Sequence, residues 1–365
     1  MKRQILALLL AMAGLISVAK NNIYYGKLLR DGVRYTGRVL VNDDRSVSYN
    51  WSGVYLQTAF TGGSIAVEAT ESGQSYHNVF IDGRFVKRVK FTGKAPFKVT
   101  LAEHLGKGSH VLRLQKATEG SFGTTTIRGF YLEKGGKLSP IAPKKRFIEV
   151  FGDSYTCGYG ALASSPKERF SLETEDVNKS YACVIARYFD ADYAIEAHSG
   201  FGVVRNYNDK KQASENTMLH RMGLVFDVAD TIAYDYQAYK PDIVLIQLGT
   251  NDFSTSVCPT PAQYVNGYKK MISKLRKAYG NVPILCCLPF SATLYLQAAF
   301  AELAHAVAAD KQVYIGESML KVMNADTDMG ADWHPNVAGH RKISMKLIPQ
   351  IANIMGWEMP QTVVK

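Results

Sequence analysis

The sequence predicts two domains of different class: an all-β sandwich or jelly roll, then an α/β domain built on a doubly wound, parallel five-stranded sheet. Three observations carry that expectation. Up to about residue 132 the chain reads as short apolar strands broken by turn residues, with almost no helical period. From residue 147 onward, apolar strands alternate with helical stretches, the pattern of a parallel sheet with right-handed crossovers. Between them, Gly135-Gly136-Lys137, Pro140 and Pro143 mark a change of rhythm and read as a linker.

The elements follow in order. Lys2 and Arg3 precede an apolar run from Ile5 to Val18 that closes on Ser17-Val18-Ala19, so residues 1–19 read as a signal peptide of a periplasmic or secreted protein. That run is shorter than the roughly 20 residues a spanning helix needs. No second stretch is apolar enough to cross a bilayer, so no membrane insertion is expected once the signal is cleaved. The mature chain divides into residues 20–143, the sandwich, and residues 144–365, the α/β domain. Strands are expected at 55–60, 64–69, 78–81, 85–89, 97–101, 110–115 and 125–132. Asp82-Gly83 between two of them is a type I′ hairpin signal, because both central residues must tolerate positive φ. In the second domain strands are expected at 147–151, 193–197, 243–248, 284–288 and 313–315. Helices are expected near 181–189, 261–279, 294–309 and 340–354.

Composition narrows the class. Of 365 residues, 47% are apolar and 21% charged, which excludes disorder. The formal charge of +11 admits nucleic acid, acidic polysaccharide or an anionic surface as partner. Its distribution is uneven: residues 20–143 hold 18 Lys and Arg against 9 Asp and Glu, residues 144–365 hold 23 of each. The basic excess therefore lies in the sandwich, and with export this argues against nucleic acid. The five cysteines are too few and odd in number for a disulfide scaffold, so buried free thiols are expected. Cys286 and Cys287 are neighbours in a strand, where alternation sends them to opposite faces. No CxxC or HExxH spacing is present, and His334 with His340 lacks a third partner. No structural metal and no cofactor are expected.

Four loops hold the suggestive polar residues: Gly152-Asp153-Ser154, Ser199-Gly200-Phe201-Gly202, Gly249-Thr250-Asn251-Asp252 and Asp332-Trp333-His334-Pro335. The first three follow strands one to three, and ligands of open α/β sheets bind outside the carboxyl ends of the strands. Acyl transfer needs a nucleophile, a base and donors aimed at the oxyanion. Ser154 fits as nucleophile, His334 as base and Asp332 as the group orienting the imidazole. The N–H groups of Ser154 and Gly200 and the side-chain amide of Asn251 fit as oxyanion donors. Asp153 and Asp252 read as structural carboxylates that bond loop backbone. Trp333 and Tyr207 are aromatic residues near these loops on which a sugar ring can stack, and Arg205 is open between a uronate contact and a solvated side chain.

These four blocks resemble those of the SGNH (GDSL-type) hydrolases. In the first half, Tyr35-Thr36-Gly37-Arg38, Asn50-Trp51-Ser52-Gly53 and Phe60-Thr61-Gly62-Gly63 resemble the jelly-roll domain of carbohydrate esterase family 2. The resemblance implies a serine esterase that removes acetyl groups from plant cell-wall polysaccharides such as xylan and glucomannan. One departure stands out. In many SGNH enzymes the orienting Asp lies three residues before the His, where this chain has Ala331, and Asp332 lies two before. Some members of the family look to work with a Ser-His dyad helped by a backbone carbonyl. The rival expectations are an SGNH esterase for another acyl group, on a lipid or bacterial glycan, and a carbohydrate-binding protein without catalysis.

Overall fold

The computed structural model describes residues 28–30, 32–228, 231–237 and 239–364. The expected signal peptide, residues 1–19, lies outside the described residues. No described helix is long and apolar enough to cross a membrane.

The first half is one antiparallel sheet curled on itself. Its strands are β1 (Leu28–Arg30), β2 (Val33–Thr36), β3 (Leu40–Val41), β4 (Val47–Tyr49), β5 (Tyr55–Thr61), β6 (Ile65–Ile81), β7 (Arg84–Ala102), β8 (Ser109–Lys116), β9 (Thr125–Leu132) and β10 (Leu138–Ser139). The order is β1-β2-β5-β8-β6-β9-β4-β3, with β7 beside β6 and β10 beside β5. The curl is built on β6. Its Ile65–Glu71 half pairs with β9 and its His77–Ile81 half with β8, and register shifts near Glu71 fall where it passes between them. Trp51, Phe60, Val67, Leu112 and Leu114 fill the interior. The expected hairpin is present, with Asp82 at φ 50° and Gly83 at φ 77°.

Three expectations change. The segments 64–69 and 78–81 are one strand, as are 85–89 and 97–101. The polar stretch from Glu71 to Ser75 looks like a turn in sequence, yet Glu71 is buried and accepts hydrogen bonds from Ser75 Oγ at 2.6 Å and Thr125 Oγ1 at 2.7 Å. The linker is also part of the sheet, since Leu138 and Ser139 pair with Phe60 and Ala59.

The second half carries the parallel sheet: β11 (Arg146–Gly152), β12 (Ala191–Ala197), β13 (Ile243–Gln247), β14 (Ile284–Cys286) and β15 (Val313–Ile315), in the order β12-β11-β13-β14-β15. Its helices are α1 (Ser154–Cys157), α2 (Tyr181–Tyr188), α3 (Met218–Arg221), α4 (Pro261–Tyr279), α5 (Leu294–Val307) and α6 (Val337–Met355). Thr260 and Gln263 cap α4 reciprocally, and Pro261 opens it. Helix α6 starts three residues before the expected position because Asn336 accepts hydrogen bonds from the N–H groups of Ala338 and Gly339. The described cysteines are free, four buried and Cys258 partly so. Cys286 and Cys287 do face opposite sides, each in a different apolar cluster.

The halves meet through buried polar groups. Arg34 pairs with Asp192 at 2.9 Å, and Arg38 pairs with Glu149 at 3.2 Å and Glu196 at 3.0 Å. Asn78 Nδ2 donates to Asp176 at 2.7 Å and Tyr55 Oη to Asp192 at 2.6 Å.

Candidate active site

Ser154 opens the one-turn helix α1 at the end of β11, which lies between β12 and β13, and is held by Asp153, whose carboxylate caps the turn by accepting the Tyr155 N–H. Its hydroxyl lies 2.9 Å from His334 Nε2. The other imidazole nitrogen, Nδ1, lies 3.0 Å from the main-chain carbonyl of Asp332. That contact fixes Nδ1 as the protonated nitrogen and leaves Nε2 as acceptor for the serine proton. The ring packs against Tyr159 at 4.2 Å and, edge-on, against Tyr155 at 5.3 Å between centroids. This burial pushes the imidazole down to about 4, so it is neutral at ordinary pH, with Nε2 free to accept a proton.

The expectation for the Asp332 side chain is corrected. Its carboxylate takes the Phe170 N–H at 2.9 Å, Arg169 Nη1 at 3.0 Å and Tyr159 Oη at 3.1 Å. The cause is local: Asp332 and Trp333 both have left-handed backbone, φ 47° and 62°, which turns the carbonyl of Asp332 toward the imidazole and its side chain toward loop 168–170. That loop also receives the Asp332 N–H at the Glu168 carbonyl, 2.9 Å away. A carboxylate two positions before the histidine thus anchors the turn, and the backbone carbonyl orients the base.

The other loops converge as expected. Asn251 Nδ2 donates to the Phe201 carbonyl at 2.9 Å and lies 3.3 Å from Asp153 Oδ2, joining the loops after β11, β12 and β13. Among the described residues, the N–H groups of Ser154 and Gly200 are given to no protein acceptor. Gly200 sits at φ 82°, a conformation that favours glycine. Asp252 accepts the N–H groups of Val203, Val204 and Arg205 at 3.0, 2.7 and 3.0 Å, so it shapes the Gly200 loop, as read from sequence. Asp153 has the same structural character; burial pushes its carboxyl up to about 7.

Arg205 is neither a surface side chain nor open to a ligand. It is fully buried and donates to the carbonyls of Asn251 and Asp209 and to Thr255 Oγ1. Tyr207 and Trp333 are 64% and 57% exposed, and Tyr207 N–H donates to the Gly200 carbonyl at 2.7 Å, so both stand at the rim of the site. His340 is no partner of His334 for a metal: its Nδ1 accepts the Tyr181 N–H at 3.3 Å. Tyr159 and Glu119 were not singled out from sequence. Tyr159 lies between Gly158 and Gly160, both at positive φ, which is the local signal that the chain doubles back onto the nucleophile.

A serine and a histidine in hydrogen-bond contact at the carboxyl edge of a doubly wound parallel sheet define a hydrolase of the SGNH class, and the GDSL-like lipase/acylhydrolase family model matches residues 150–342. The carbohydrate esterase 2 N-terminal model matches residues 35–142. The chain belongs to carbohydrate esterase family 2. The cellulase/esterase CelE of Acetivibrio thermocellus is 31% identical over 332 residues, and the chain spans 40% of its length and 89% of its own. An acetylxylan esterase/glucomannan deacetylase of Cellvibrio japonicus is 33% identical over 254 residues, 66% of this chain and 69% of that protein. A family two carbohydrate esterase from Clostridium thermocellum, solved in complex with cellohexaose, gives a TM-score of 0.84 at 30% identity, covering 90% of this chain and all of that one.

Proposed function

We propose that the protein is an exported serine esterase that removes O-acetyl groups from plant cell-wall polysaccharides such as xylan and glucomannan, through an acetyl-enzyme. The observation that carries this is the 2.9 Å contact of Ser154 Oγ with a neutral His334, beside two backbone N–H groups without protein acceptors among the described residues. The names of the curated relatives and the cellohexaose bound to a structural neighbour support a β-linked polysaccharide as the acyl carrier. Residues 1–19 would serve as the export signal, 20–143 as the jelly-roll domain and 144–365 as the catalytic domain.

His334 Nε2 takes the Ser154 proton as Oγ attacks the acetyl carbonyl. The oxyanion is received by the N–H groups of Ser154 and Gly200 and by Asn251 Nδ2. The imidazolium, its Nδ1–H held by the Asp332 carbonyl, then protonates the departing sugar oxygen. Water attacks the acetyl-enzyme, gives its proton to His334, and acetate leaves as Ser154 Oγ is reprotonated. Tyr207 and Trp333 offer aromatic faces on which the sugar chain can lie.

The test is acetate release from acetylated xylan, glucomannan and peptidoglycan. Ser154→Ala should abolish release from the plant polysaccharides while leaving the fold intact; undiminished turnover would overturn the mechanism. Faster turnover of octanoate than acetate esters would favour a different acyl group, and glycan binding without acetate release would favour a binding protein.

A further inference from the structure

We propose that Glu119, a residue of the first domain, is a positioning residue for the oxyanion hole of the second. The proposal rests on the reading of Gly200 N–H as an oxyanion donor. Glu119 lies between β8 and β9 at the start of the short turn Gly120–Phe122 and is 1% exposed. Each of its two carboxylate oxygens accepts from the same residue of the catalytic domain: Oε2 accepts the Ser199 N–H at 2.7 Å and Oε1 accepts Ser199 Oγ–H at 2.5 Å. Ser199 immediately precedes Gly200.

The peptide that carries the Gly200 N–H is thus held on its N-terminal side by a two-point contact from the other domain. On the far side, the Gly200 carbonyl accepts the Tyr207 N–H at 2.7 Å. A glycine at φ 82° has wide conformational freedom, so a donor on it keeps its aim only if both flanking peptides are fixed. A second tie from the same domain reaches the preceding residue. Asn50 Oδ1 accepts the Asp227 N–H at 2.8 Å, and the Asp227 carboxylate holds His198 Nδ1 at 2.8 Å. The turn brings these groups together closely: a Cβ on Gly120 would stand 2.8 Å from the Asp227 Cβ and 3.0 Å from the Asn50 amide carbon.

The surroundings of Glu119 fit a supporting carboxylate. The Cys157 thiol and Glu175 carboxyl lie within 4.8 Å of it and of each other. Burial raises both groups well above their ordinary ranges, so each keeps its proton and can donate. The buried Lys116 amine faces the same group, together with Glu71 and Asp227.

The experiment compares kcat and KM for 4-nitrophenyl acetate in Glu119→Ala, Glu119→Gln, Ser199→Ala and Ser154→Ala, alongside thermal unfolding midpoints. A misaimed donor weakens transition-state binding and leaves ground-state binding largely intact. Glu119→Ala is expected to lower kcat about 10- to 100-fold, short of the loss of a whole donor, with KM within about twofold. Glu119→Gln offers an acceptor to the Ser199 N–H and a donor to its hydroxyl, so it should recover most of kcat. Ser199→Ala removes one of the two contacts and should lose about three- to tenfold. Glu119→Ala with kcat within twofold of wild type, or a folded Glu119→Gln no better than Glu119→Ala, would overturn the proposal. If Glu119→Ala does not fold, unchanged kcat in Ser199→Ala would overturn it. Activity surviving in Ser154→Ala would instead remove the esterase reading beneath it.

Discussion

Asp332 carries the sharpest distinction at the scale of single residues. An orienting carboxylate cannot be replaced by its amide without loss: in a Ser-His-Asp triad that change lowers kcat by roughly 10⁴. Here the carboxylate anchors a left-handed turn through Phe170 N–H and Tyr159 Oη, and asparagine can accept the same bonds and tolerates that backbone. Asp332→Asn should therefore keep kcat within about tenfold of wild type, far from the triad value; a drop of about 10⁴ in acetate release would return the side chain to the triad. The imidazole gives a second readout. Burial holds His334 at about 4, against some upward pull from the Asp332 carbonyl, the Ala331 backbone and the Asp332 charge. The base must be neutral to act, so kcat/KM should rise through about pH 4 and stay level through the usual histidine range. Asp332→Asn removes the charge that raises His334 and should move this limb to lower pH. An acid limb near the ordinary histidine value of about 6.5 would contradict the buried, carbonyl-held imidazole.

Secondary-structure elements were legible where one physical signal dominated. Helix α4 announced both ends, with Thr260, Pro261 and Gln263 at its start and Gly280 at φ 67° after its last turn. The parallel strands were visible as mainly apolar runs because β11 to β14 are buried on both faces, and the charged residues buried within them, Glu149 in β11 and Asp192 and Glu196 in β12, face Arg34 and Arg38 of the first half. In the first domain the signal failed where polar residues are buried. Glu71 and Ser75 satisfy one another inside β6, and a run of this composition looks like a turn until its partners are known. The four loops of the site were legible because their chemistry is local: each follows or precedes an element with a clear pattern. Glu119 was not, since nothing around Glu119-Gly120 in sequence points to Ser199, eighty residues away. The carbonyl role at Asp332 was open only through the family resemblance, beside the triad; the residues themselves give no sign of it, because two consecutive left-handed non-glycine residues leave no compositional mark.

For the molecule as a whole, the domain interface sets how stability responds to pH. Arg38 comes from the first domain and faces two carboxylates of the second, Glu149 and Glu196, all fully buried. One guanidinium cannot neutralise two buried charges, and burial raises both carboxyls above their ordinary range, Arg38 pulling the other way. The folded state therefore holds a proton at pH values where the unfolded chain, with glutamates near 4.3, has released it. A native state that binds more protons than the unfolded state loses stability as pH rises. The interface should thus weaken upward from the ordinary carboxylate range, reaching its limit once the folded cluster has also given up its proton. Glu196→Gln mimics the protonated form with nearly the same shape. Denaturant unfolding across pH 5 to 8 should show a shallower decline in Glu196→Gln than in wild type, by up to one proton, or about 1.4 kcal/mol per pH unit. Other buried acids with raised values, Asp153, Glu175 and Asp252, act in both proteins alike and cancel in the comparison. Parallel slopes in the two proteins would mean that Glu196 enters the interface as a full charge, and that Arg38 holds two carboxylates without a shared proton.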